Sequence, residues 1–152
     1  MKRTYFASLI VTAGLLAFAM VVSGSRFAWY LDFPSLVVVL FPAFVLSMGT
    51  HGTEGTFGAF SAAFGDTEKT RQELELSLLA ARSLGRFAWL SSLIGSFIGA
   101  IAILGNLGAM ERIGSNVAVA LICVFYAALF DFAVVSPMTA RIRRRIAQLS
   151  GN

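Results

Sequence analysis

Residues 120–145 read ALICVFYAALFDFAVVSPMTARIRRR, an apolar stretch that carries one aspartate, Asp131, and ends in a proline and four arginines. The apolar run to which it belongs, residues 116–135, has the length of about 17 to 25 residues that a helix needs to cross the hydrocarbon core of a bilayer. An ionised carboxylate at the centre of that core costs on the order of 2.5 to 3.5 kcal/mol. The stretch therefore predicts a membrane-spanning helix in which Asp131 does not face lipid.

The composition extends this prediction to the whole chain. Of the 152 residues, 57% are hydrophobic and only 13% are charged, against about 25% charged in soluble proteins. Three further apolar blocks cover residues 6–23, 33–49 and 87–105, and none shows the alternation of a strand. The first block also resembles a signal peptide, but three spans follow it, which favours a retained helix. We therefore expect an all-α integral membrane protein with four transmembrane helices in one membrane domain, residues 1–152.

Lysines and arginines predict the orientation of these helices. With four spans, only Arg26 and Arg112 fall on one side of the membrane, and the positive-inside rule then places both termini in the cytoplasm. The net charge of +4 is explained by this topology and by anionic lipid heads, so we expect membrane lipids and no nucleic acid as partners. The basic tail, residues 138–152, is expected to anchor the chain at the cytoplasmic surface. The ten basic residues on the cytoplasmic side are Lys2, Arg3, Lys69, Arg71, Arg82, Arg86, Arg141, Arg143, Arg144 and Arg145.

The cytoplasmic segment, residues 50–86, has two parts. The helical spacing of Phe57, Phe60 and Phe64 permits an aromatic face at the membrane interface, although a loop that packs on its neighbours is an equal alternative. Asp66 or Thr67 can then cap a helix that starts with Glu68 and continues into the third span. We therefore expect a long third helix that extends into the cytoplasm.

Small residues indicate where the last two spans touch. Gly95 and Gly99 form a G-x-x-x-G pattern, which lets one helix face approach another closely. The turn near residues 106–115 lies in GNLGAMERIGS, which is rich in glycine. The third and fourth spans are therefore expected to form an antiparallel hairpin.

The sequence contains no recognisable catalytic set. His51 is the single histidine, HGTEG lacks the second histidine of a zinc motif, and no glycine loop that could bind phosphate precedes a lysine. Cys123 is the single cysteine and is expected to be a small packing residue within the fourth span. We therefore expect neither an enzyme nor a metal site nor a cofactor.

The end of the chain resembles a known family. IGSNVAVALICVFYAALFDFAVVSPMTARI is similar to the last transmembrane helix of the MotA/TolQ/ExbB superfamily, and SLIGSFIGAIAILGNLGAMERIG is similar to its preceding helix and turn. The resemblance covers about residues 30–145. The chain departs from MotA-like proteins in lacking their large cytoplasmic domain. The matching positions in the last helix are Ile113, Gly114, Ala118, Ala120, Leu121, Tyr126 and Pro137.

Side chains that line the pore of MotA-like proteins also differ here. Cys123 and Val124 stand where hydroxyl side chains are usual, Ser96 where threonine is usual, and Asp131 where asparagine is usual. The resemblance implies that Ser96, Cys123, Val124 and Asp131 line a channel or ion pathway. It also assigns Gly95, Gly99, Tyr126 and Pro137 to helix packing.

The resemblance implies a subunit of the bacterial inner membrane that forms a homopentamer. Two copies of a single-span partner, similar to MotB, ExbD or TolR, would occupy its channel. Ion flow would drive a stator or energy-transducing complex, and protons are the expected ion because they are the commonest in the family. A pentameric scaffold that no longer conducts is the alternative. Asp131 then either lines the ion pathway or pairs with an arginine of a neighbouring helix during assembly.

Overall fold

The computed structural model describes residues 2–24, 30–65, 68–108 and 110–150, and these ranges are helical apart from short connections. The chain divides into two compact units, residues 1–33 and 34–152. The helices are α1 (Lys2–Val22), α2 (Phe33–Phe64), α3 (Arg71–Gly105), α4 (Met110–Phe130) and α5 (Ser136–Ser150), with a π-helical turn at Asp131–Val135 that joins α4 to α5.

Within the residues that the structure describes, three helical stretches are long and apolar enough to cross a membrane. They are Phe33–Phe64, Arg71–Gly105 and Ile113–Leu149. The first unit contributes a shorter apolar stretch, Ile10–Val22, within α1. Of the four transmembrane helices expected from the sequence, the structure therefore gives three of full length and one shorter apolar helix.

Helix α2 bends sharply at Gly52. This residue has φ 72° and ψ 167°, outside the helical region, and glycine adopts a positive φ without the penalty that a Cβ imposes. The hydroxyls of Ser47 and Thr56 lie 3.0 Å apart, although an unbroken helix would separate these residues by about 13.5 Å along its axis. Phe60 also stacks on Phe44. The part of α2 after Gly52 therefore turns back towards the part before it.

The aromatic residues after this bend have different environments. Phe57 is exposed, whereas Phe60 and Phe64 pack against the buried cluster formed with α3 and α5. The segment is thus helical, and two of its three aromatic rings pack on neighbouring helices.

Helix α3 begins with a capping box. The Thr70 hydroxyl accepts a hydrogen bond from the Glu73 N–H, and the Glu73 carboxylate accepts one from the Thr70 N–H. The expected helix start at Glu68 was wrong, since the helix begins at Arg71; the expected caps, Asp66 and Thr67, lie outside the described residues. With 35 residues, α3 is about 52 Å long, well beyond the bilayer core.

The final helical rod continues through a proline. Pro137 has no N–H to donate and its ring crowds the carbonyl four residues earlier, which normally kinks a helix. Here the turn just before it is widened, and the Ser136 N–H donates to the Asp131 carbonyl five residues back. The helix therefore extends to Ser150, and the described part of the basic tail, residues 138–150, is helical.

The hairpin of α3 and α4 is closed by a short turn. Helix α3 ends at Gly105 and α4 already begins at Met110, so the connection is shorter than the expected residues 106–115. Further along, α5 and the end of α2 pack on the first turns of α3 through Leu74, Met138 and Ile142.

Candidate functional site

A seam of small residues joins α3 to the rod of α4, the π turn and α5. A Cβ added at Gly99 would lie 2.9 Å from the Ala120 Cβ, and one added at Gly95 would lie 2.7 Å from the Cys123 Sγ. These distances are shorter than an ordinary carbon contact of about 3.5 to 4.0 Å. Only glycine lets the helices approach this closely, as the G-x-x-x-G pattern indicates.

Cys123 and Tyr126 lie inside the chain. Both are buried in one cluster with Val39 of α2, and Cys123 is 1% exposed. The Cys123 thiol fills the space beside Gly95. Its environment is therefore that of a packing residue within a single copy of the chain.

Ser96 and Val124 line an open groove on the surface of the α3–α4 hairpin. The Ser96 hydroxyl donates to the Ala120 carbonyl at 2.8 Å, and Val124 is 37% exposed. Ser96 is the one polar side chain among the residues that line this groove. The lining residues are Leu93, Ser96, Phe97, Ala100, Ala120, Leu121 and Val124.

Asp131 lies beyond one end of this groove and joins two helices. Its carboxylate accepts a hydrogen bond from the Trp89 indole N–H of α3 at 3.2 Å and one from the Ser136 hydroxyl at 3.3 Å. Trp89 precedes Ser96 by seven residues and Asp131 follows Val124 by seven, so each pair lies on one helix face about 10 Å apart. The groove and this half-buried carboxylate therefore share one side of the hairpin.

The four arginines of the tail divide into two pairs. Arg145 donates to the Ala62 carbonyl at 2.7 Å and to the Gly65 carbonyl, and thus caps the end of α2. Arg141 lies over the Phe64 ring, 5.0 Å from its centroid. Arg143 and Arg144 point outward and are exposed. Only these last two have the open environment expected of a surface anchor.

Three features of the site were not predicted from the sequence: Gly85 in the seam, Trp89 as a partner of Asp131, and Arg145 as a cap of α2. Gly85 belongs to the same seam, since a Cβ there would lie 2.7 Å from a Val135 methyl carbon. Its spacing from Gly99, two heptads, is visible in the sequence and could have indicated it. Trp89, as a partner of Asp131, and Arg145, as a cap of α2, depend on contacts between residues 42 and 83 positions apart, for which no local pattern exists.

Comparison with known proteins identifies the family of the segment that contains this hairpin. No curated protein matches the chain. The family model described as the MotA/TolQ/ExbB proton channel family matches residues 59–152, which is more than half of the chain. The match runs from the end of α2 through α5 and includes the glycine seam, the groove and Asp131. This multi-pass membrane protein therefore belongs to the MotA/TolQ/ExbB proton channel family.

Proposed function

We propose that the chain is the channel-forming subunit of a proton-driven stator or energy-transducing complex in the bacterial inner membrane. The observation that carries this proposal is that one side of the α3–α4 hairpin bears both an open groove and, beyond one end of it, the Asp131 carboxylate. This side lies within the segment that the family model matches. An apolar groove with one carboxylate beyond its end suits a narrow path along which a proton is transferred at one position.

The proposed assembly is a homopentamer whose α3–α4 hairpins surround two copies of a single-span partner. In this assembly α1 adds a membrane helix to the three long ones, and both termini are cytoplasmic, an orientation that the distribution of lysines and arginines supports. The exposed residues Arg82, Arg86, Arg143 and Arg144 support that orientation, because they cluster towards one end of the helices. Asp131 then lies towards the cytoplasmic end of the channel.

Within this channel, Asp131 accepts and releases the proton at its carboxylate. The hydrogen bonds from Trp89 and Ser136 fix the carboxylate on the groove side of the hairpin. Ser96 is already hydrogen bonded to a carbonyl, so it serves in positioning and not as a relay. We propose Val124 as part of the apolar wall and Cys123 as packing behind it.

The test begins with the complex extracted gently from its own membrane. Native mass spectrometry counts the copies of this chain and identifies any single-span partner. The complex is then placed in liposomes, and an internal pH dye follows proton entry under an imposed gradient. Replacing Asp131 by asparagine keeps the size of the side chain and one oxygen that can accept from the Trp89 indole N–H, but removes the proton-accepting carboxylate. Proton flux should therefore fall by about 100-fold, the low end for a positioned proton-transfer group.

A matched control is Glu68→Gln, which removes an exposed carboxylate that lies just before α3 and far from the groove. This variant should conduct as the unmodified complex does. Equal flux from the Asp131→Asn complex, with five copies still assembled, would contradict the role of Asp131. Loss of assembly in that variant would indicate instead that Asp131 acts in packing.

A non-conducting pentameric scaffold is the second candidate. It is favoured by the groove itself, whose single polar side chain, Ser96, already donates its proton to the Ala120 carbonyl. An assembled complex that contains its partner but passes no protons would establish this alternative.

A further inference from the structure

Helix α3 runs antiparallel to the rod of α4, the π turn and α5 with a constant register. Gly99 lies against Ala120, Gly95 against Cys123 and Gly85 against Val135. Moving towards the N-terminus of α3 therefore corresponds to moving by a similar number of residues towards the C-terminus of the rod. Helices rise equally per residue. Continuing for nine residues beyond Gly85 and Val135 therefore places Leu76 of α3 at the height of Arg144 of α5. The shared buried cluster of Leu74 and Ile142 shows that the two helices remain packed there.

The outer face of α3 at this height combines leucines with carboxylates. Leu76 is 59% exposed and Leu79 is 52% exposed. Glu73 and Glu75 are exposed beside them; Glu73 belongs to the capping box with Thr70, and Glu75 forms an ion pair with the exposed Arg71 at 2.9 Å. Charged residues in this part of the helix indicate an aqueous surface. Apolar side chains grouped on such a surface are typical of a contact with another protein.

The outer face of α5 at the same height is basic. Arg143 and Arg144 are exposed, and neither forms an ion pair with any residue that the structure describes. They share one face of α5 with the small exposed residues Ala140 and Ala147, which leave the arginine side chains accessible. Their charge and their long apolar stems fit a surface that offers carboxylates and leucines together.

We propose that these two faces bind each other between copies of the chain: Arg143 and Arg144 of one copy contact Glu75, Leu76 and Leu79 of the next. This inference rests on the homo-oligomer in the proposed function. In a ring whose axis is parallel to the helices, neighbouring copies lie at the same height along that axis. Because the α3 face and the α5 face lie at one height within each copy, the α3 face of one copy is level with the α5 face of the next. Because the faces differ, the contact is head-to-tail, the type that generates a closed ring.

Cross-linking between two tagged forms of the full chain tests this contact. One form carries Leu76→Cys, the other carries Arg144→Cys, and both are produced together with distinct tags in the native host. A short bismaleimide is added to the isolated membranes. A cross-linked product that contains both tags, at about twice the 16.3 kDa of one chain, is expected only from the mixed membranes. The buried Cys123 is common to all forms and serves as the background.

The control replaces Leu76→Cys by Arg86→Cys, which is also exposed on α3 but lies about 15 Å further along the helix. This pair should give less than a tenth of the mixed product, because its height does not match that of Arg144. Cross-links between two copies of the same form would show a symmetric contact and overturn the proposal.

The complex is also counted by native mass spectrometry, so that the failure of this contact is distinguished from that of the proposed function. Several copies without the mixed cross-link would overturn the proposed contact alone and would leave Arg143 and Arg144 to lipid headgroups. A single copy would overturn both the contact and the proposed ring.

Discussion

Adding one methyl group at Gly95 should weaken the packing of α3 by a calculable amount. The new Cβ would lie 2.7 Å from the Cys123 Sγ and 3.3 Å from a Val38 methyl carbon. Overpacking of this kind costs about 1 to 3 kcal/mol, whereas alanine in place of glycine favours a helix by about 1 kcal/mol. We therefore expect Gly95→Ala to lower the free energy of unfolding by about 1 kcal/mol.

The same substitution should be relieved by removing the sulfur atom. In the double variant Gly95→Ala with Cys123→Ala, the closest contact disappears, so the two changes should be coupled by about 1 to 2 kcal/mol. Gly99→Ala behaves differently, because its Cβ would also lie 3.0 Å from the backbone N of Ala120. A backbone atom cannot rotate away, so Ala120→Gly should restore little of that stability.

Reversible unfolding in mixed micelles, followed by helix content, measures these energies. Gly49→Ala is the control, since its added Cβ meets nothing within 4 Å and should not destabilise the protein. Equal coupling for the Gly95 and Gly99 pairs, or a neutral Gly95→Ala variant, would refute the reasoning that the sulfur atom limits the approach at Gly95.

Three further substitutions test other parts of the fold. Gly52→Ala should cost about 1 to 3 kcal/mol in the same unfolding measurement, because a φ of 72° with a ψ of 167° is a backbone conformation that only glycine adopts readily; a stability equal to that of Gly49→Ala would contradict the bend. Thr70→Ala should remove about 1 kcal/mol of helix-cap stability and speed hydrogen exchange in the first turn of α3, and unchanged exchange would count against the capping box. Arg145→Gln should destabilise the protein by about 1.5 to 3 kcal/mol through the lost bonds to α2, whereas Arg82→Gln, at an exposed arginine of α3, should have little effect; the reverse order would contradict the cap.

The long helices could be predicted from the sequence because their cause is local. An apolar block of sufficient length must form its backbone hydrogen bonds within itself in a bilayer, so the blocks at residues 33–49, 87–105 and 116–135 lie inside the observed helices. Their ends were predicted less well. The capping box at Thr70 and Glu73 was present as a T-x-x-E pattern, but two earlier capping residues competed with it.

The parts that sequence reasoning missed depend on distant contacts. Pro137 indicates an interruption, yet the π turn before it lets the helix continue into the tail. Arg141 and Arg145 look like their neighbours in the sequence and differ only because α2 folds back beneath them. Cys123 and Val124 are adjacent, but 100° of rotation per residue leaves one of them buried and the other in the groove.

The hydrogen bond between Trp89 and Asp131 gives the protein an intrinsic optical probe. The chain has two tryptophans, so Trp29→Phe leaves Trp89 as its one tryptophan, whose ring N–H donates to the carboxylate of interest. Indole emission responds to charge beside the ring, and a carboxylate that binds a proton loses its charge. Emission recorded during a pH titration would thus report how often the carboxylate carries a proton, in the assembled membrane complex and without any attached label.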